Sequence, residues 1–307
     1  MAAQPAPAAL PPAGLPGLDP SWSRLVEVAD AGGTVRTWHV LDNGVVDPVG
    51  TLLCVHGNPT WSYLWRRALA GAPEGWRVVA VDHLDMGFSE RTGTLRRLAD
   101  RIADLGALTD ALGVTGPVVT LAHDWGGPIS LGWALAHRAQ LAGVVLTNTA
   151  VHQPPDAPAP GLIRLARTRG VHRATTVATP VFLRGTVGLL TPGLADDVRG
   201  AFLAPYRGAR RRAAIGEFVE DIPLDEGHPS WPSLQALVAG LPTLSDVPVL
   251  LLWGPRDPVF SDRYLRDLQT RFPQAQVHRY EGAGHLVTEE SPAVSDALRW
   301  VRDLGSA

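Results

Sequence analysis

The chain has 307 residues, 45% of them hydrophobic and 19% charged, with a formal net charge of −3. That length supports one full core plus a substantial insertion, and the near-neutral charge gives no electrostatic reason to expect nucleic-acid binding. All 27 basic residues are arginine, and alanine, glycine and proline are abundant, which reads as a GC-rich genome rather than as function.

Residues 1–20, MAAQPAPAALPPAGLPGLDP, are rich in Ala and Pro and uncharged until Asp19. They lack a basic n-region and a continuous apolar h-region, so they predict a disordered arm rather than a signal peptide. Apolar, β-rich runs come next, at 34–42, 51–57, 77–82, 117–122, 143–149, 248–254 and 275–282. Several are continuous rather than alternating, as in strands covered on both faces of a parallel sheet. The single cysteine, Cys54, lies in the run TLLCV. It can form no internal disulfide, which points to a cytoplasmic protein without structural zinc, and an apolar strand offers nothing to stabilise a thiolate.

Between the strands lie helical patterns. Leu95, Leu98, Ile102, Leu105, Leu108 and Leu112 form one apolar stripe. Helices are also expected over 261–272, capped by Ser261, and over 291–303, with Ser291 ahead of Pro292. Strands alternating with helices predict an α/β fold, a mostly parallel doubly wound sheet. The alternation breaks between 152 and 243, where prolines, glycines and helical patches replace strands. The expectation is a core of residues 21–151 and 244–307 with a helical cap inserted at 152–243. The arginine run RGARRR (207–212) is expected to be a solvated helix face. No stretch approaches an uninterrupted membrane span.

Ligands on such sheets bind beyond the carboxyl ends of the strands. The strand 117–122 ends in LAHDWGGP, where a sharp strand-to-helix turn is expected. An α/β-hydrolase displays its nucleophile at that turn, usually Ser in G-x-S-x-G, and here the central residue is Asp124. Alone, Asp124 reads equally well as an N-cap, Asp257 as a turn residue and His285 as a surface histidine. Together they stand after successive strands in the order nucleophile, acid, histidine. An ionised Asp needs no base to attack. His285 is then the base, acting on water or in a later proton transfer, and Asp257 orients its ring. The backbone N–H of Trp125 and the HGNP loop form an oxyanion or anion site, to which Asn58 and Trp125 also bring side-chain donors. Phe182, Leu183, Phe202 and Tyr206 are candidates to line a substrate channel through the cap, and no motif calls for a metal or a cofactor.

HGNPTWSYLWR (56–66), DHLDMGFSER (82–91) and HDWGG (123–127) resemble the haloalkane dehalogenase group of α/β-hydrolases. The likeness implies an aspartate nucleophile at Asp124, an anion held by Trp125 and Asn58, and a His285–Asp257 pair. Some dehalogenases carry the acid after the strand at 143–149, where this chain has Asn148. The segments AHDWGGPISLGWAL, VVLTNTAVHQP and FVEDIPLDEGHPSWPSL look most like the β-lactone decarboxylases of bacterial long-chain olefin biosynthesis. That resemblance implies conversion of long-chain cis-β-lactones to cis-alkenes and CO2, and fusion to or association with a β-lactone synthetase. Haloalkane dehalogenase is the alternative, epoxide hydrolase the third reading, and a binding protein on the same fold the non-enzymatic one. Epoxide hydrolases typically use two cap tyrosines, and only Tyr206 falls in this cap. One departure stands out: D-x-x-G-x-G-x-S reads DHLDMGFS, with Asp85 in place of the first Gly, and an altered turn is expected there.

Overall fold

A computed structural model describes residues 5–152, 161–168, 171–189 and 193–305. Eight strands form one sheet: β1 Ser23–Ala29, β2 Val35–Asp42, β3 Gly50–Val55, β4 Trp76–Val81, β5 Val118–His123, β6 Leu141–Thr147, β7 Val249–Trp253 and β8 Gln276–Arg279. Their order is β1-β2-β4-β3-β5-β6-β7-β8, antiparallel from β1 to β4 and parallel beyond. All residues of β3 and β5 are buried, which is why their sequence is continuously apolar. The strand β1 was not expected. At the sheet edge, SRLVEVA buries only Val28 and leaves Leu25 in solvent, so its apolar signal is weak.

The helices Leu98–Ala111, Gly126–Ala136 and Trp231–Gly240 pack together, and Arg66–Ala70 packs on Ala293–Leu304. In the first group the indole Nε1 of Trp133 donates to Thr109 Oγ1 at 2.8 Å, with both residues buried. The apolar stripe holds for Leu98, Leu105 and Leu108, whereas Leu95 precedes the helix and is exposed. Ser261 occupies an N-cap position without a capping hydrogen bond. The last helix starts one residue late, at Ala293, with Ser291 Oγ accepting from its N–H.

Three expectations need correction. From Pro5 onward the segment 1–20, though largely exposed, is tied to the core by hydrogen bonds rather than free, residues 1–4 lying outside the described residues. Ala6 exchanges backbone hydrogen bonds with Arg91, Ala9 donates to Phe88 O, and Tyr63 Oη donates to Pro16 O. The helix Trp231–Gly240, expected in the cap, packs on helices of the core. In the arginine run, only Arg207 and Arg210 are solvated. Arg211 donates to Pro205 O, and buried Arg212 donates to the carbonyls of Val177, Ala178 and Tyr206.

Between β6 and β7 the described residues hold only helices and turns, among them Gly161–Ala166, Asp196–Leu203 and Ala213–Glu220. Among the described residues, no helix is long and apolar enough to cross a membrane.

Replacing Thr109 by Val strands the buried indole N–H of Trp133. The expected loss is about 1–3 kcal/mol, read as a lower urea midpoint at unchanged m-value.

Candidate active site

The end of β5 turns sharply at Asp124, whose φ of +53° lies in the left-handed region. A non-glycine residue there carries strain of about 1–3 kcal/mol, held in place by its surroundings. Asp124 N donates to Asn148 O at 3.1 Å, and Thr149 Oγ1 donates to Asp124 O at 2.5 Å. A Cβ at Gly126 would collide with Val55 O, and one at Gly127 with Thr149. The two glycines therefore let the elbow sit this deep against β3 and the end of β6.

The Asp124 carboxylate is held from behind. Asn58 N donates to its Oδ1 at 2.6 Å, and the neighbouring Trp125 backbone N–H also favours the charged carboxylate. These are the two donors expected of an oxyanion hole, here engaged by the carboxylate itself. Oδ2 takes no part in the Asn58 bond. Burial pushes Asp124 up to about 6 against the attraction of His285 and the two N–H groups, with Asp257 adding to the rise.

His285 Nδ1 donates to Asp257 Oδ2 at 2.8 Å, which leaves Nε2 as the free nitrogen. Burial alone would lower the imidazole, but the Asp257 and Asp124 carboxylates outweigh it and hold it above its usual value. Asp257 is held below its usual value, burial notwithstanding, by His285, the Val259 N–H and Asn148. Two further residues complete the pair. His123 lies 2.8 Å from His285 O through Nε2, and the Phe260 ring stacks on His285 at 5.9 Å and 14°.

Asn148, noted in the sequence only as a vacated acid position, has a role of its own. Its Nδ2 donates to Asp257 Oδ2 at 3.0 Å and to Gly254 O, while its Oδ1 accepts from Gly254 N. An amide cannot relay a proton there, but it orients the acid one strand away.

The Asn58 side chain is not a free donor pair. Its Nδ2 donates to Ile215 O in the helix Ala213–Glu220 at 3.1 Å, so one N–H remains for a ligand. No sequence pattern marked this contact, which crosses from the core to the cap.

Asp124, Trp125, Asn58 and His285 line one cavity of about 360 Å³, walled by apolar side chains such as Val151, Ile163, Phe182, Leu234 and Phe260. Of the four expected channel residues only Phe182 lines it. Leu183 and Phe202 are core, Phe202 meeting Tyr63 edge to face. Tyr206 is core as well. Its hydroxyl donates to Thr60 O and accepts from Gly87 N, so it braces loops instead of facing a ligand. Cys54 is buried, with its thiol pushed up by desolvation, as an inert strand residue would be.

An eight-stranded, mostly parallel sheet with an aspartate at the elbow defines the class: residues 50–292 match the α/β-hydrolase fold family, to which the chain belongs. A cis-3-alkyl-4-alkyloxetan-2-one decarboxylase of Xanthomonas campestris is 34% identical over 83% of this chain and 88% of its own length. One of that name from Shewanella oneidensis is 31% identical over 82% of this chain and 80% of its own. Among solved structures, the tetrameric haloalkane dehalogenase DpaA of Paraglaciecola agarilytica superposes with a TM-score of 0.78 at 21% identity. It covers 95% of this chain and 97% of its own, and bears on the fold.

The raised Asp124 sets a pH limit. Attack needs the ionised carboxylate, which is lost as pH falls through about 6. On any substrate that Asp124 attacks, kcat/KM should hold between pH 7 and 8 and fall about tenfold per unit well below that limit. A rate that stays flat down to pH 4.5 would show that Asp124 is not the titrating nucleophile.

Proposed function

We propose that this chain decarboxylates cis-β-lactones to cis-alkenes, with Asp124 as the nucleophile. The observation that carries the reading is a buried carboxylate whose Oδ1 accepts from the Asn58 backbone N–H and whose charge the Trp125 N–H also favours. It opens into an apolar cavity beside the Asn58 amide and the Trp125 indole. Two relatives named for this reaction, each matching over four-fifths of the chain, support the substrate class.

In the proposed cycle Asp124 Oδ2 attacks the lactone β-carbon in line. The ring C–O bond breaks, its electron pair leaves on the carboxylate, and that anion is held by Asn58 and Trp125. The bond to the carboxylate carbon then breaks, releasing CO2. Its electrons form the double bond, and the Asp124 ester bond breaks with the aspartate as leaving group. One inversion and one anti elimination turn a cis lactone into a cis alkene without water. His285, whose protonated form Asp257 and Asp124 favour, is placed to stabilise the carboxylate charge that Asp124 gives up and regains. Attack at the lactone carbonyl is the rival route, with the same donors serving an oxyanion.

The apolar cavity suits long alkyl chains, and Phe182 is proposed to contact them. A β-lactone-forming enzyme must supply the substrate, as a fused domain or a separate partner in the cytoplasm. Haloalkane hydrolysis is the second reading, because an amide and an indole N–H also suit a halide. Epoxide hydrolysis is disfavoured, since Tyr206, the one cap tyrosine, does not reach the cavity.

A side-by-side assay on a long-chain cis-3,4-dialkyl β-lactone and a 1-bromoalkane decides between the first two. The expected result is alkene and CO2 with little bromide release; bromide without alkene reverses the order. Asp124→Ala should lower lactone turnover by at least about 10³-fold, and retained activity would sink the assignment. Mass spectrometry of a quenched reaction locates the ester. An alkyl adduct on Asp124 marks β-carbon attack, and an acyl adduct marks the carbonyl route.

A further inference from the structure

The helix Ala213–Glu220 touches both side chains of the anion site. Ile215 O accepts from the Asn58 amide, and the Phe218 ring meets the Trp125 indole edge to face at 5.6 Å. The same Phe218 ring carries the guanidinium of Arg101, whose carbon lies 3.6 Å from the ring centroid. Arg101 comes from the core helix Leu98–Ala111 and is 2% exposed, and among the described residues none of its three guanidinium nitrogens has a hydrogen-bond partner.

Four acids surround it without binding it: Asp85, Glu217, Asp221 and Asp104. Asp85 accepts from Thr92, Asp104 from Ala31 N and Arg96, and Asp221 from Arg97, Leu98 N and Ser230. Asp85 is also the departure noted in DHLDMGFS. It takes φ +70°, a position that favours glycine, and aims a buried carboxylate towards Arg96 and Arg101. An acid there and a cation under Phe218 are two parts of one arrangement.

A buried guanidinium without hydrogen bonds is unfavourable relative to an aliphatic side chain of its length. Charge balance alone does not explain its pose, because a group kept only to neutralise acids would donate to them. The contact it does make is face-on to an aromatic ring, a cation–π pair strengthened by desolvation.

We propose that Arg101 is a positioning residue for the anion site: held face-on to Phe218, it fixes the Trp125 indole at the wall that receives the leaving anion. The identity of that anion rests on the lactone reading, but the placement of the indole does not.

The test compares Glu217→Gln with Glu217→Gln/Arg101→Met and Glu217→Gln/Arg101→Lys, so that a cation and a neighbouring carboxylate are removed together. Measured are kcat and KM on the cis-β-lactone, inhibition by bromide, and the thermal midpoint. Removing the cation should lower kcat and weaken bromide inhibition, each about tenfold, with KM within about threefold of Glu217→Gln. Lysine, which keeps the charge, should restore part of both. Equal kcat and equal bromide inhibition in Glu217→Gln and its Met partner would overturn the proposal. So would losses that track a lower thermal midpoint without rescue by lysine. If the unmodified protein turns over no lactone, the proposed function fails. Bromide quenching of tryptophan fluorescence then still tests Arg101 on its own.

Discussion

The site depends on one constraint: a carboxylate must stay charged while fully buried. Raising Asp124 from its ordinary value to about 6 disfavours the ionised folded state. At neutral pH this amounts to roughly 3 kcal/mol. The sign is that of an acid raised by folding, so the penalty is absent below pH 4 and grows as pH rises to 6. Nearly every nearby feature offsets part of it. The Asn58 N–H holds Oδ1, the Trp125 N–H also favours the charged carboxylate, His285 adds an opposing charge, and Asp257 raises the ring. Asn148 and His123 then fix the two members of the pair. The elbow strain is part of the same arrangement, because only a left-handed Asp124 brings its carboxylate under the Asn58 amide.

Two parts of the molecule divide this work. The sheet supplies the charges: β5 ends just before Asp124, β6 leads to Asn148, and the loops after β7 and β8 carry Asp257 and His285. The cap supplies the anion site's shape, since Ile215 engages the Asn58 amide and Phe218 packs on Trp125. Asp221 ties the Ala213–Glu220 helix to the start of Leu98–Ala111 through Arg97 and Leu98 N. These contacts tie the cap to the core beside Asp124 and the Asn58 amide.

Legibility in the sequence divides along the same line. Strands covered on both faces, such as β3 and β5, announce themselves as unbroken apolar runs. Half-exposed β1 does not. The elbow was legible because a nucleophile, two close-packed glycines and a strand end fall within five residues. Asp257 and His285 were legible from chain order after their strands. The cap was not: its helices are short, and burial there depends on which way each one faces, so Leu183, Phe202 and Tyr206 turned inward to the core. The arginine run failed for a related reason. Charge alone suggested solvent, but backbone carbonyls left open by short helices accept from Arg211 and Arg212. The Pro-rich N-terminus is held by backbone hydrogen bonds to a loop, which composition cannot foresee.

One constellation of this kind can serve two chemistries. A halide and the carboxylate of an opening lactone both leave from carbon opposite an attacking oxygen, and both need donors that are already in place. They differ in the second step. A halide departs and leaves an alkyl ester that only water can clear, so the histidine must act as a base. A tethered carboxylate carries its own way out, because loss of CO2 releases the electrons that expel the aspartate. In that cycle a histidine held cationic is useful and a neutral one is not required. The Asp257–His285 pair, tightened by Asn148 and set against a second carboxylate, favours the cation. The balance of charge around His285 is compatible with the proposed lactone cycle.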